Sequence, residues 1–229
     1  MSESLKMVLS SSRMWVRLLV LVGASLGGVA AAGAQQFSAD LVVTHGEAPA
    51  SAGKLRVRDG KVRLETPDLA DGFFLIDGAR PNAMFVRPAS RIFMEARQSS
   101  RLTQLFVPVD PADPCAQWQA MAKVAGVPEQ GAWHCERVGE ESIGGRDATI
   151  VRAVSSPGLD LVGWVDPVLK FPLRIKTADG AIFTAENLRE EPQPAEAFVI
   201  PPGFRKFDPQ ALIQQIKQSD VWVEAPAPR

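Results

Sequence analysis

The chain has 229 residues, 25 of them basic and 26 acidic, for a net charge of −1, with two cysteines and no tyrosine. A balance this even argues against the concentrated basic face that phosphate backbones require, so nucleic acid is not an expected partner. Its length suits one domain with one sizeable core rather than several.

Residues 1–34 read as a leader. Lys6, Arg13 and Arg17 form a positive front end, Leu18 to Ala31 is apolar, and Ala32-Gly33-Ala34 is a small-x-small cleavage pattern before Gln35. The apolar run is shorter than the ~18 residues of a membrane-spanning helix. No cysteine adjoins the site for acylation, and Arg13 and Arg17 are not adjacent, which argues against a twin-arginine signal. The expectation is a cleavable Sec-type signal and a periplasmic mature chain with no membrane-spanning segment. That chain, Gln35 to Arg229, keeps 22 basic and 25 acidic residues, net −3.

Phe37, Ala39, Leu41 and Val43 mark a first strand by alternation. Lys54 to Arg58 and Lys61 to Glu65 alternate about Asp59-Gly60, the signature of a hairpin with a tight primed turn. Their basic residues read as one solvated face rather than an anionic-ligand patch. Phe73 to Ile76, Ala83 to Val86 and Ile92 to Met94 differ, being apolar on both parities and therefore covered on both faces. Core packing and a cavity wall both satisfy that pattern.

Gln98 to Gly126 breaks the strand rhythm. A helical turn is predicted within Ser99 to Phe106, and Asp113-Pro114 starts a helix with Cys115, Trp118, Met121 and Ala122 on one face. Strands resume over Trp133 to Val138, Ala148 to Val154 and Leu161 to Val165. Phe171 to Lys176 and Ala181 to Leu188 then pair about Asp179-Gly180, and Ala197 to Ile200 is predicted as a third, short strand before Pro201-Pro202. Asp208-Pro209 opens a last helix over Ala211 to Gln218, and Glu224 to Arg229 is a Pro/Ala-rich tail.

Cys115 and Cys135 are alone in a chain expected to be exported, where a structural disulfide outweighs a redox or metal role. His134 beside Cys135 with one distant cysteine makes a poor tetrahedral set, so no metal and no cofactor are expected. His45 and His134 lie in no nucleophile–base context, and G-x-S-x-G, H-E-x-x-H and P-loop patterns are absent. The pairs Glu140-Glu141 and Glu190-Glu191 read as solvated charge. No catalytic residue is nominated, and the expectation is a protein that is not an enzyme.

Three stretches in order, GKLRVRDGKVRLETP, FFLIDGARPNAMFVRPASRIFMEA and AEAFVIPPGF, resemble the periplasmic lipoprotein-carrier (LolA/LolB-like) superfamily, nearest to its exported relatives of unassigned role. The resemblance runs from Phe37 to about Phe207. It implies a mainly β (α+β) fold: one curved antiparallel sheet forming an incomplete barrel, with two or three short helices on the concave side and a hydrophobic cavity between. The organisation implied is a 1–34 signal, a 35–207 half-barrel domain, and a 208–229 C-terminal helix and tail. The lid-holding arginine of the carriers has its match at Arg58, where Asp59-Gly60 replaces their Pro-containing turn. The carriers begin with a helix, whereas Gln35-Gln36 here leads into a strand, and the cysteine-tied helix is not a general carrier feature.

Two function classes follow. One is a carrier or envelope sensor for an acyl chain, lipid or lipoprotein, with Leu75, Met84, Val86, Phe93, Met94 and Trp164 as candidate cavity wall. The other is a periplasmic structural or protein-interaction module without a small ligand, holding an envelope protein as partner.

Overall fold

The computed structural model describes residues 35–46, 51–66, 69, 71–96, 102–124, 133–155 and 159–218. The expected leader and the Glu224–Arg229 tail lie outside these residues. The chain divides after Gly33, and the fold below belongs to the unit Ala34–Arg229.

The strands are β1 (Gln36–His45), β2 (Ser51–Arg58), β3 (Lys61–Glu65), β4 (Phe73–Asp77), β5 (Asn82–Arg87), β6 (Ile92–Glu95), β7 (Trp133–Ile143), β8 (Arg146–Ser155), β9 (Leu159–Asp166), β10 (Phe171–Thr177), β11 (Ala181–Arg189) and β12 (Arg205–Lys206). The helices are α1 (Leu102–Leu105), α2 (Pro114–Val124) and α3 (Pro209–Gln218). All the strands join one sheet in the order β12-β6-β5-β4-β3-β2-β1-β11-β10-β9-β8-β7. Two wings of consecutive antiparallel hairpins, β1–β6 and β7–β11, meet where β1 pairs with β11. The two-residue β12 runs parallel to β6. The ends of the order do not join, so the barrel is incomplete.

Local chemistry accounts for the hairpins. Asp59 and Gly60 both adopt positive φ, 48° and 81°, as a primed turn requires, so β2 and β3 pair with Val57 opposite Val62. Gly144 and Gly145 do the same between β7 and β8.

Cross-strand register sorts the side chains onto two faces. Phe37, Val57, Val62 and Ile76 follow one another across β1 to β4, as do Ala39, Leu55, Leu64 and Phe74. All eight are buried. Ile175, Gly163 and Val151 continue the same face across β10, β9 and β8. α2 packs on this face and touches both β5 and β7. In a flat sheet those strands would stand about 43 Å apart at ~4.8 Å per strand, whereas an eleven-residue helix is only about 16 Å long. The sheet therefore bends around α2, and the helix-bearing face is the concave one.

The opposite face is crossed by a strap, residues 190–204, which leaves β11 and ends as β12. Here the structure corrects the expected strand over Ala197 to Ile200. Ala195–Phe198 form a single 3-10 turn, with Ala197 and Phe198 buried and Val199 extended. The strap lies across the strands instead of pairing alongside them, so its apolar residues point down onto the sheet. The last helix forms as expected, beginning at Pro209, but buries none of its residues.

Candidate functional site

On the concave face, α1, α2 and the segment between them cover the sheet. Leu105, Phe106, Val107, Trp118 and Met121 are each at most 3% exposed. The Trp118 indole N–H donates to the Leu105 carbonyl at 3.1 Å, joining the helices at a buried point. Its ring lies against Gly163 of β9, where an added Cβ would stand 2.7 Å from the indole. Gly163 thus leaves a slot in the sheet that only a glycine can leave. The Gln117 side chain donates to the Gly78 carbonyl beyond β4, at 2.8 Å. At the other end a disulfide joins Cys115 in the first turn of α2 to Cys135 on β7, with Cα atoms 5.7 Å apart. Under this cover Phe37 meets Phe171 edge-on, with ring centres 5.2 Å apart, and Phe106 lies tilted to Phe171 and edge-on to Phe183.

The strap face is held differently. Arg56 lies opposite Arg63, and Arg58 opposite Lys61, like charges that repel across a strand pair. The strap supplies acceptors for this ladder. Arg58 donates to the Gln193 carbonyl. Arg63 donates to the Ala197 carbonyl at 3.4 Å, pairs with Glu65 at 2.9 Å and stacks 3.5 Å above the Phe73 ring. The Ser38 hydroxyl donates to Glu191 at 2.7 Å, and the Gln193 N–H donates to the Gln36 side chain at 2.8 Å. Arg146 bridges Asp166 and Glu190 at the start of the strap. The Ser38 hydrogen bond, with lesser help from Arg189, Gln193 and Arg56, holds the Glu191 carboxyl below the ordinary glutamate value of 4.5. The basic residues read as a solvated face are therefore in part the strap's anchor, a long-range contact that alternation within a hairpin cannot show.

Register places the expected wall residues on both faces. Leu75 pairs with Met84 and Val86 with Phe93, all on the strap face. Trp164 shares that face, donating to Glu141 at 2.7 Å with the Arg174 guanidinium nearby. Of the six, Met94 faces the helices, opposite Phe85. Val86 is fully buried. Both-parity apolarity told that these strands are covered twice, but not which parity meets the helices. Arg58, the match to the carriers' lid arginine, reaches the strap rather than α2. Residues not singled out as site residues are Phe106, Phe85 and Gly163. A lone glycine within the apolar run LVGWV was the available sign of a close approach at Gly163.

Open clefts indent the described surface, three of which bear on these elements. One, of about 640 Å³, lies between β7–β8 and the approach to α2, beside the disulfide. The second, about 570 Å³, runs beside the strap with Lys54, Arg56 and Arg189 on its rim. The third, about 530 Å³, adjoins the first through Glu140, Thr149 and Pro167. Among the described residues no group of three metal-ligating side chains converges, and no helix is long and apolar enough to cross a membrane.

No family model and no curated protein matches the chain. Solved structures similar to it include an uncharacterised conserved protein from Thermus thermophilus, at 12% identity over 77% of this chain and 91% of that one, TM-score 0.44. The MucA/MucB complex of Pseudomonas aeruginosa is similar at 16% identity over 70% of this chain and 53% of its own, TM-score 0.36. An outer membrane lipoprotein-sorting protein domain from Vibrio parahaemolyticus, described as putative, is similar at 10% identity over 71% and 88%, TM-score 0.35. The architecture above rests on strand order and register, not on these likenesses.

Proposed function

We propose that this chain is an exported, non-enzymatic envelope protein that holds an acyl chain between its curved sheet and the α1–α2 layer. In this reading residues 1–34 are removed as a signal, and the mature chain acts in the periplasm as carrier or sensor. One observation carries it: among the described residues, a broad concave face lined by Phe37, Phe74, Phe85 and Phe171 is covered by a four-residue helix, an eleven-residue helix and the short segment that joins them. Opening such a cover exposes apolar surface in one step, and an acyl chain offers the matching area to rebury, at about 25 cal/mol per Å². Met94 suits a wall that must adapt, because its thioether stem repacks readily.

The test uses delipidated protein and a fluorescent fatty-acyl probe. Saturable one-to-one binding, displaced by unlabelled fatty acid, is the expected result. Met94→Asp, on the helix face, should weaken it strongly, whereas Met84→Asp, on the strap face, should not. Equal effects of the two substitutions, or no binding, would overturn the reading. The tight burial of Phe106, Trp118 and Met121 favours a second reading, an interaction module whose concave face is purely core. Absence of probe binding together with a stable, lipid-free protein would select it.

A further inference from the structure

We infer that the free edge of β7, with the cleft beside it, is a docking site for an extended basic segment of a partner polypeptide, which adds to the sheet as a thirteenth strand. β7 ends the strand order, so its outward backbone N–H and C=O groups have no ladder partner among the described strands. At eleven residues it is long for an edge, and the opposite edge is the two-residue β12. Long edges are usually blunted by charge or a bulge, because they template pairing with other chains. β7 has both features, and their details select an occupant.

The charge along the edge is net negative, although each glutamate has an arginine beside it: Glu136 lies 3.9 Å from Arg152, Glu140 pairs with Arg137, and Glu141 pairs with Arg174 at 3.3 Å. β7 carries Glu136, Glu140 and Glu141 against Arg137, and Asp113 and Asp147 stand on the walls of the adjoining clefts. A second copy of β7 would lay glutamates beside glutamates, which repels, whereas a strand with alternating lysine or arginine can set its cations against Glu136 and Glu141, which share the face opposite Arg137 and Glu140. The register shift between Arg137 and Gly139 turns Arg137 and Glu140 to the same side, where they pair with each other beside the cleft. It also leaves Val138 52% exposed.

Apolar surface gathers here as well. Trp133, Val151, Pro111 and Pro167 line the 640 Å³ cleft together with the disulfide. Val168, next to Pro167 in the following turn, is 80% exposed, the most exposed large apolar side chain described. A docked strand would place alternate side chains over this cleft and the others against the glutamates. Backbone hydrogen bonds would supply affinity, and the alternating pockets selectivity. This inference is independent of the acyl-chain reading, since it uses the edge and outer mouth of the sheet rather than the space beneath α2.

The experiment titrates the folded protein with three synthetic eight-residue peptides: alternating lysine–valine, alternating glutamate–valine, and the lysine–valine sequence with proline at two central positions. Binding is read by calorimetry, and its place by backbone amide shifts in a heteronuclear NMR spectrum. The expected result is saturable binding of the lysine–valine peptide, with the largest shifts along Trp133–Ile143. The glutamate peptide should bind at least about tenfold more weakly through repulsion, and the proline peptide likewise because it cannot complete the ladder. Glu136→Lys with Glu141→Gln should weaken binding by a similar factor while leaving the melting temperature nearly unchanged, since the glutamine keeps an acceptor for the Trp164 indole. Equal affinity for the proline peptide would reduce the effect to unspecific charge and overturn the inference. No binding, or shifts centred on any other strand, would overturn it with the unaltered protein, whatever the double variant does.

Discussion

The two faces of one sheet are covered by opposite means. On the concave face the cover is apolar and deeply buried, and it is fixed by a disulfide at one end and by an indole seated over Gly163. On the convex face the strap is held largely by guanidinium groups donating to its backbone carbonyls and by a serine donating to Glu191. The first kind of contact gains from removing surface from water and is not weakened by charge screening or by titration. The second depends on charge and stays near solvent, where such contacts are individually weak. Strands β4–β6 need both covers, because Phe74 and Phe85 face the helices while Phe73 and Val86 face the strap. The layers should therefore respond to different perturbations.

The largest effect should come from Trp118→Ala, which empties the slot over Gly163 and frees the Leu105 carbonyl. A loss of about 3–5 kcal/mol is expected for an aromatic this buried, read as a lower urea midpoint. A loss under about 1 kcal/mol would mean that the helical cover contributes little to the core. Next comes Cys115→Ser. Cysteines separated by 20 residues close a loop worth about 3 kcal/mol on the chain-entropy model. Thermal unfolding should show the drop, and reductant should reproduce it in the native protein while leaving the variant unchanged.

On the strap face, Arg63→Met keeps the stem but removes the stacking on Phe73 and the donor to Ala197. About 1–2 kcal/mol is expected. Hydrogen exchange should accelerate in Pro194–Phe204 and not in α2; acceleration in both would show that the two covers form one cooperative unit. The smallest effect concerns pH. The Glu191 carboxyl lies below its ordinary value of 4.5 because the folded state favours its charged form. Its contribution is thus complete above pH 4.5 and is lost as the pH falls through the depressed value. Exchange along the strap should rise in that acid window in the native protein. In Ser38→Ala it should already be raised at neutral pH and change less on acidification. Identical profiles would remove Glu191 from the strap's attachment.

Much of the fold was legible because its causes are local. Asp59-Gly60 dictates a primed turn whatever surrounds it, and alternation in Lys54–Glu65 and Phe171–Lys176 dictates which residues share a face. Asp113-Pro114 and the spacing of Cys115, Trp118 and Met121 dictate the helix. The wall residues were less legible. Leu75, Met84, Val86 and Phe93 share one parity, but parity is relative, and only the placement of α2 and the strap assigns concave and convex. The short strand expected over Ala197–Ile200 failed for the same reason. An apolar run of four reads alike whether it pairs at an edge or presses down across a sheet.

By itself the sequence determined the hairpins, the helix starts, the alternation of faces and the cysteine pair. Each depends on dihedral preference, side-chain period or residue count within a short stretch of chain. Only the tertiary structure decided that β1 closes on β11, that the sheet bends far enough for α2 to reach both β5 and β7, and that a basic ladder anchors a strap more than 130 residues away. Those contacts join segments with no local preference for one another. They are chosen when the chain buries its apolar area and satisfies its charges together, and no single stretch carries that choice.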